Sequence, residues 1–306
     1  MAAPASTAPL VTRRAQRRLG ILLALPVTVM IVVFFLIPLA NALVYSVVDF
    51  DGVSPNPPFV GAANFVEMVT DPAVWHALSN NVIWIVIGTA VPMVVGLLIA
   101  LQLWGVERGS MFYRLCFFLP FVLPAVAVGI VWGWIYDPVQ GLLNKSLGAL
   151  GLESLQRGWL GDPTWALYAV LVTAIWGATG FAVVIFISAL RNVDVELVDA
   201  SLIDGANAAA RLWYIILPQI MPVFLMVLTL TLVGGFSVFD IIFVMTGGGP
   251  ADATEVIGTY AYSTAFELSR IGYGTTLALL ITLLSVPFAV ALNRLQRRMA
   301  LQETGV

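Results

Sequence analysis

Few side chains in this sequence are equipped for chemistry, and their scarcity is informative. Asp240 is the one ionisable residue set well inside an apolar stretch, with Phe236 and Phe239 just before it. Ionisable groups are expensive at membrane depth and default to function there. A carboxylate beside aromatic rings suits a neutral sugar. The acid accepts hydroxyl hydrogen bonds, and the rings cover apolar C–H faces. The alternative is that Asp240 caps a helix end or reaches the outer surface. Asn81, Trp132 and Trp134 are weaker members of the same set, and the tryptophans fit an interfacial belt better. No catalytic constellation is visible. His76 is the sole histidine and has no partner in the pattern, and Cys116 is the sole cysteine. That excludes an intrachain disulfide and a cysteine-based zinc site, and it argues against a histidine metal site or triad. No glycine-rich GxxxxGK[ST] phosphate loop is present, so ATP hydrolysis is not expected of this chain. Catalytic and metal-ligating residues are therefore none.

The elements that must hold these residues follow from composition. Of 306 residues, 60% are hydrophobic and 10% charged, and the net charge is −3. Soluble domains carry about 25% charged residues. An ordinary cytoplasmic enzyme, a disordered segment and a nucleic-acid binder are excluded, which leaves a membrane protein with several spans. A span needs about 20 apolar residues. Six uncharged runs qualify: Leu19–Val48, Val82–Leu103, Leu115–Tyr136, Trp165–Leu190, Ile215–Phe239 and Ile271–Asn293. Prolines inside them (Pro26, Pro38, Pro92, Pro120, Pro124, Pro218, Pro222, Pro287) predict kinked helices packed on one another. The first run follows Arg13, Arg14, Arg17 and Arg18, but it far exceeds a signal-peptide core and reads as a retained anchor. The chain divides into an N-terminal tail (1–18), a six-helix membrane domain (19–298) and a C-terminal tail (299–306).

Basic residues set the orientation. Eleven Lys and Arg lie in the two tails and the second-to-third and fourth-to-fifth loops, against Lys145, Arg157 and Arg270 in the others. This bias predicts both termini in the cytoplasm. The three opposite loops, Asp49–Asn80, Asp137–Pro163 and Thr246–Arg270, are long and rich in Gly, Pro, Asp and Trp. They suit either interfacial packing or a docking surface for an outside partner.

The cytoplasmic segment Arg191–Pro218 carries the most information. Asp194 is a plausible N-cap with Glu196 in the first turn, Gly205 is a natural stop, and Asn207 is placed to cap a second helix through Leu217 that Pro218 interrupts. The expected product is a short protruding helix, a glycine turn and a helix leading into the fifth span. Ala200, Gly205 and Ala206 let another surface approach, and Glu196, Asp199 and Asp204 can meet basic groups. A solvated surface helix would show the same pattern.

This segment resembles the EAA loop of ABC importer permeases: Glu-Ala-Ala, three residues, Gly, then Ile-x-Leu-Pro. The triplet here is Asp199-Ala200-Ser201, followed by Asp204-Gly205-Ala206 and closing at Ile215, Ile216, Leu217 and Pro218. Asp199 replaces the usual Glu, and Ser201 the second Ala. Phe239-Asp240 followed by Thr246-Gly247-Gly248-Gly249-Pro250 resembles the corresponding run of maltose-type and glycerol-phosphate-type sugar permeases. Asp137-Pro138 with Gly141 and Asn144 is a weaker match. The resemblance covers roughly residues 15 to 298. It implies an all-α importer permease of the type I fold with a cytoplasmic coupling helix, a multi-pass protein of a prokaryotic inner membrane.

The implied partners are a second six-helix permease subunit, two cytoplasmic ATPase subunits that bind ATP and Mg, an extracytoplasmic solute-binding protein, a carbohydrate and membrane lipid, with no nucleic acid. The implied ATPase contacts are Glu196, Asp199, Ala200, Ser201, Asp204, Gly205, Ala206, Leu217 and Pro218. The implied binding-protein contacts are Thr246, Gly247, Gly248, Gly249, Pro250, Gly141 and Asn144. The substrate-path set is Asp240, Phe239, Phe236, Asn81 and Trp134. No Lys or Arg lies deep in a span, which argues against a phosphorylated substrate. The alternatives are an importer of a non-sugar solute or of glycerol phosphate, a secondary transporter, and a membrane-embedded enzyme.

Overall fold

A computed structural model describes residues 13–106 and 109–303. Residues 1–12 of the expected N-terminal tail, Arg108 of the second-to-third loop, and residues 304–306 lie outside the described residues. The described part is helical, in the order α1 (Arg13–Ile31), a π-helical turn (Val32–Leu36), α2 (Ile37–Tyr45), α3 (Ala63–Thr70), α4 (Pro72–Leu103), α5 (Ser110–Val122), α6 (Ala125–Ile135), α7 (Leu142–Ala149), a 3-10 turn (Glu153–Leu155), α8 (Ala166–Leu190), α9 (Val195–Ile203), α10 (Ala208–Arg211), a second π turn (Leu212–Ile216), α11 (Leu217–Phe236), α12 (Asp240–Met245), α13 (Ile257–Tyr262), a third π turn (Ser263–Glu267) and α14 (Ile271–Glu303).

Five helices are long and apolar enough to cross a membrane, and a sixth span exists if α5 and α6 together make one. That pair corrects the expectation of a single third helix over Leu115–Tyr136. The chain bends by 96° between the two helices. Pro124 offers no N–H and disfavours helical backbone before it, and Leu123 is extended, with ψ 137°. The fifth span also ends earlier than expected. Its helix stops at Phe236, so Asp240 opens a separate short helix instead of sitting within the span. Pro218 does not interrupt its helix either. The π turn Leu212–Ile216 precedes it and accommodates the missing N–H without a break, as Val32–Leu36 does before Pro38. Helix α14 runs on to Glu303, past the boundary expected at 298.

The core forms where α4 and α8 pack along their lengths, with α5 and α11 closing on α8. Small residues permit this approach, as they do between membrane helices generally. A Cβ on Gly96 would lie 2.6 Å from that of Ala182, and one on Gly180 would collide with the Phe117 carbonyl oxygen on α5. Met93, Leu97, Phe186, Val183 and Ile220 fill one cluster. Trp84, Leu171, Val128 and Ile242 fill a second, at the other end of α4. The first helix is different: from residue 18 to residue 45 its apolar stretch has no buried residue. Phe35 and Leu22 are about two-thirds exposed or more, at 70% and 67%. Such a surface is stable only against lipid or another chain.

Candidate functional site

Two adjoining cavities, each of about 450 Å³, open between α4, α5, α8 and α11. Trp84, Phe121, Ala174, Ala178 and Gly234 line both. Small side chains at Gly88, Ala174, Ala178 and Gly235 make the space, and Trp84, Phe121 and Phe181 wall it. The few polar groups are Thr231 in one cavity and Thr173, Ser237 and Asp240 in the other. Among the described residues no cationic side chain lines either. The chemistry available is aromatic stacking on C–H faces with sparse hydroxyl and carboxylate hydrogen bonding.

The expected substrate-path residues separate here. Asp240 and Phe239 line the second cavity. Asp240 is exposed, in the first turn of α12, where a carboxylate also favours the helix end. Phe239 stacks on Phe243 at 5.0 Å between ring centroids. Phe236 lines neither cavity and packs 5.4 Å from Phe288. Trp134 is 72% exposed. Asn81 is buried, and its Oδ1 accepts from the Ile257 N–H at 2.9 Å, a structural role. Trp84, Phe121 and Phe181 escaped the sequence reading. An aromatic inside an apolar run has no contrast with its neighbours, and only tertiary packing brings these three together.

The outer loops are stitched to the spans. After α12, Gly247 and Gly248 adopt positive φ of 59° and 93°. At Gly248 a Cβ would collide with the Glu255 carboxylate, so glycine is required twice over. Thr246 and Thr254 join their hydroxyls at 2.7 Å, and Thr254 Oγ1 donates to the Gly249 carbonyl at 2.8 Å. Pro250 follows through a cis peptide. Three side chains from two successive turns of α4 hold this loop: Asn80 Nδ2 donates to the Glu255 carbonyl at 2.8 Å, Asn81 takes Ile257, and His76 Nε2 lies 3.0 Å from the Asp252 carbonyl. His76 thus has a partner that its sequence context does not reveal. Burial pushes the Glu255 carboxyl up from its ordinary range, the neighbouring Asp252 and Glu267 adding to it.

The other two loops are equally built. Asn144 is buried; its Nδ2 donates to the Pro138 and Arg157 carbonyls at 3.0 and 2.9 Å, and its Oδ1 accepts from Trp159 Nε1 at 2.8 Å. A Cβ on Gly141 would collide with the Asp137 carbonyl oxygen. Arg157 covers the Trp165 ring at 4.4 Å. In the first loop Asp71 caps α4 and accepts from the Tyr260 and Tyr273 hydroxyls at 2.7 and 2.8 Å. Desolvation works against its charge, but these bonds win and hold the carboxyl below its ordinary value. Glu67 and Arg270 form a two-pronged ion pair at 2.7 and 2.8 Å.

On the opposite side, Asp194 caps α9 by accepting from the Glu196 N–H at 2.9 Å. Gly205, φ 80°, ends it. The Ala206 N–H reaches back to the Ser201 carbonyl at 2.9 Å and that of Gly205 to Leu202 at 3.1 Å. This pairing satisfies the last carbonyls of the helix. Asn207 then caps α10 through the Ala210 N–H at 2.8 Å. Glu196, Asp199, Ala200, Asp204 and Gly205 are exposed, as is Ile203 at 86%. Ala206 is half-buried. Ser201 and Leu217 are buried and Pro218 is exposed. One tie binds this protrusion to α11: Gln219 Oε1 accepts from the Asp194 N–H at 2.9 Å.

Comparison with known proteins defines the class. Residues 92–301 match the binding-protein-dependent transport system inner membrane component family, and the chain belongs to it. A probable ABC transporter permease of Bacillus subtilis is 33% identical over 84% of this chain and 89% of its own length. A diacetylchitobiose uptake system permease of Streptomyces coelicolor is 34% identical over 84% of this chain and 76% of its own. A bacterial ABC transporter involved in import of the acidic polysaccharide alginate shares the fold, with TM-score 0.77 at 20% identity over 92% of this chain and 96% of that one. The protein is a multi-pass inner-membrane transport component.

Proposed function

We propose that this chain is the permease half of an ABC importer for a neutral carbohydrate of more than one sugar unit. The observation that carries the solute reading is the paired cavity lined by Trp84, Phe121 and Phe181 without a cationic side chain. Aromatic faces suit pyranose rings, whereas a phosphorylated or acidic solute calls for basic groups. Relatives named for diacetylchitobiose, multiple-sugar, trehalose/maltose and lactose transport support it. Asp240 and Phe239 contact the sugar at one mouth of the path. An importer of a non-sugar solute or of glycerol phosphate remains the second reading.

Helix α9 is the coupling helix. Glu196, Asp199, Ala200, Asp204 and Gly205 face a cleft of a cytoplasmic ATPase subunit, which holds ATP and Mg. Ser201, Ala206, Leu217 and Pro218 seat the helix on its own chain. Both termini are cytoplasmic. A second permease pairs with this one, an ATPase sits under each, and a solute-binding protein docks on the loops around Gly141, Asn144 and Thr246–Pro250. The named docking residues that are buried there shape the loops, and their exposed neighbours make the contact.

The test is a mild-detergent pull-down of the chain from its native membrane with mass spectrometry. The expected companions are an ATPase, a second six-span permease and a solute-binding protein, which can then be screened against sugars. Recovery of this chain alone, where a known ABC importer stays intact, contradicts the reading and puts a secondary transporter first.

A further inference from the structure

A separate cavity of about 410 Å³ lies where α4 and α8 end and α5 begins, on the side of the chain that carries α9. Leu103, Trp104, Val106 and Ile187 line it together with Arg114 and Arg191. Arg114 sits in the second turn of α5 and Arg191 immediately follows α8. Among the described residues no carboxylate lines the space and neither guanidinium has an ion-pair partner. The Arg114 Nε is buried without a hydrogen-bond partner. An arginine nitrogen cut off from water and left unpaired is costly, and the structure tolerates few such groups. Two arginines lining one cavity with an indole and an aliphatic wall match a phosphate with an apolar extension.

We infer that this cavity binds a phosphate-bearing anion, the headgroup of an anionic phospholipid or free phosphate. Its place at the ends of three spans puts it at headgroup depth, where basic pockets between helices take acidic lipids. A headgroup there bridges α5 to the C-terminal end of α8. Arg191 is three residues before the Asp194 cap of α9, so occupancy braces the base of the protruding helix.

The experiment uses the intact, delipidated transporter in neutral detergent, titrated with dihexanoyl phosphatidylglycerol, dihexanoyl phosphatidylcholine or inorganic phosphate and read by native mass spectrometry. The expected result is retention of phosphatidylglycerol over phosphatidylcholine, weakened about 10-fold or more in R114Q/R191Q. R191Q alone removes an exposed side chain, leaves folding intact, and gives a smaller loss, while R114K/R191K retains part of the binding. Inorganic phosphate that displaces the lipid, with the same dependence on both arginines, keeps the anion site and assigns it to free phosphate. Equal retention of phosphatidylglycerol by wild type and R191Q, or equal retention of the two lipids, overturns the inference. So does loss of the ATPase subunits from R191Q with no anion bound by wild type, which makes the cavity a protein contact.

Discussion

The two faces of this membrane protein are built on opposite plans. On the face bearing residues 49–80, 137–163 and 246–270, side chains hold the backbone at many points: buried Asn144 with three strong bonds, buried Asn80 and Asn81 with exposed His76 on the glycine loop, and half-buried Asp71 between two tyrosines. On the other face, α9 is held by its own caps, a glycine turn, bonds from Gln219 and Arg211, and the packing of Val198 and Ser201, and most of its side chains are exposed. A preformed surface suits a partner that arrives and leaves, because little order has to be bought at each encounter. A capped helix with open side chains suits a partner that grips it and moves it. Residue type alone does not separate the plans, since both loops are rich in Gly, Asn and Asp.

Substitutions sharpen the contrast. The largest effect is expected from Asn144→Ala, which strands the Trp159 N–H and two carbonyls in a buried place. We expect a loss of about 3 kcal/mol, read as reduced membrane abundance and a lower melting temperature. Wild-type stability would mean that the outer loop is not held as described. Gly205→Val forces a branched residue into the left-handed region at about 1–2 kcal/mol. Uptake should disappear while the protein remains in the membrane, and normal uptake would remove Gly205 from any coupling role. Asp194→Ala deletes the α9 cap at about 1 kcal/mol. Uptake should fall in part, and Asp194→Asn should restore it; failure of that rescue points to charge and away from capping.

Asp240→Ala should weaken sugar transport about 5-fold with stability nearly unchanged, since the side chain is exposed. If abundance alone falls, Asp240 is structural. The smallest effect concerns pH. Glu255 has its carboxyl raised above 4.5 by burial, so its contribution to stability is complete below that value and is lost as pH rises through the folded value. Glu255→Gln should therefore flatten the decline in melting temperature above pH 4.5. An unchanged profile would place the titrating group elsewhere.

What the sequence discloses follows from the range of each interaction. Asp194, Gly205 and Asn207 are legible because caps and glycine turns act within a few residues, and all three adopt the expected geometry. Apolar run length reveals most of the spans. Pro124 announces a kink, yet its size, 96°, is not written in the residue order. Pro218 reads as a break and Pro38 as a kink, and the preceding π turns that absorb them leave no mark on residue order. The cavity was least legible. Trp84, Phe121, Ala174 and Gly234 come from four helices, and no local pattern links them. Asn81 reads as a substrate-path group and Asn144 as a docking contact, because a buried asparagine is identified only by its partners.

The most direct test of the account places a photo-crosslinking residue at Ile203, 86% exposed on α9, and in a second variant at Val139, 77% exposed on the opposite face. In native membranes the Ile203 probe should capture the ATPase subunit, with a yield that changes when ATP is supplied, and the Val139 probe should not. Capture of the ATPase from Val139, or from neither position while transport persists, would contradict the assignment of α9 as the coupling helix.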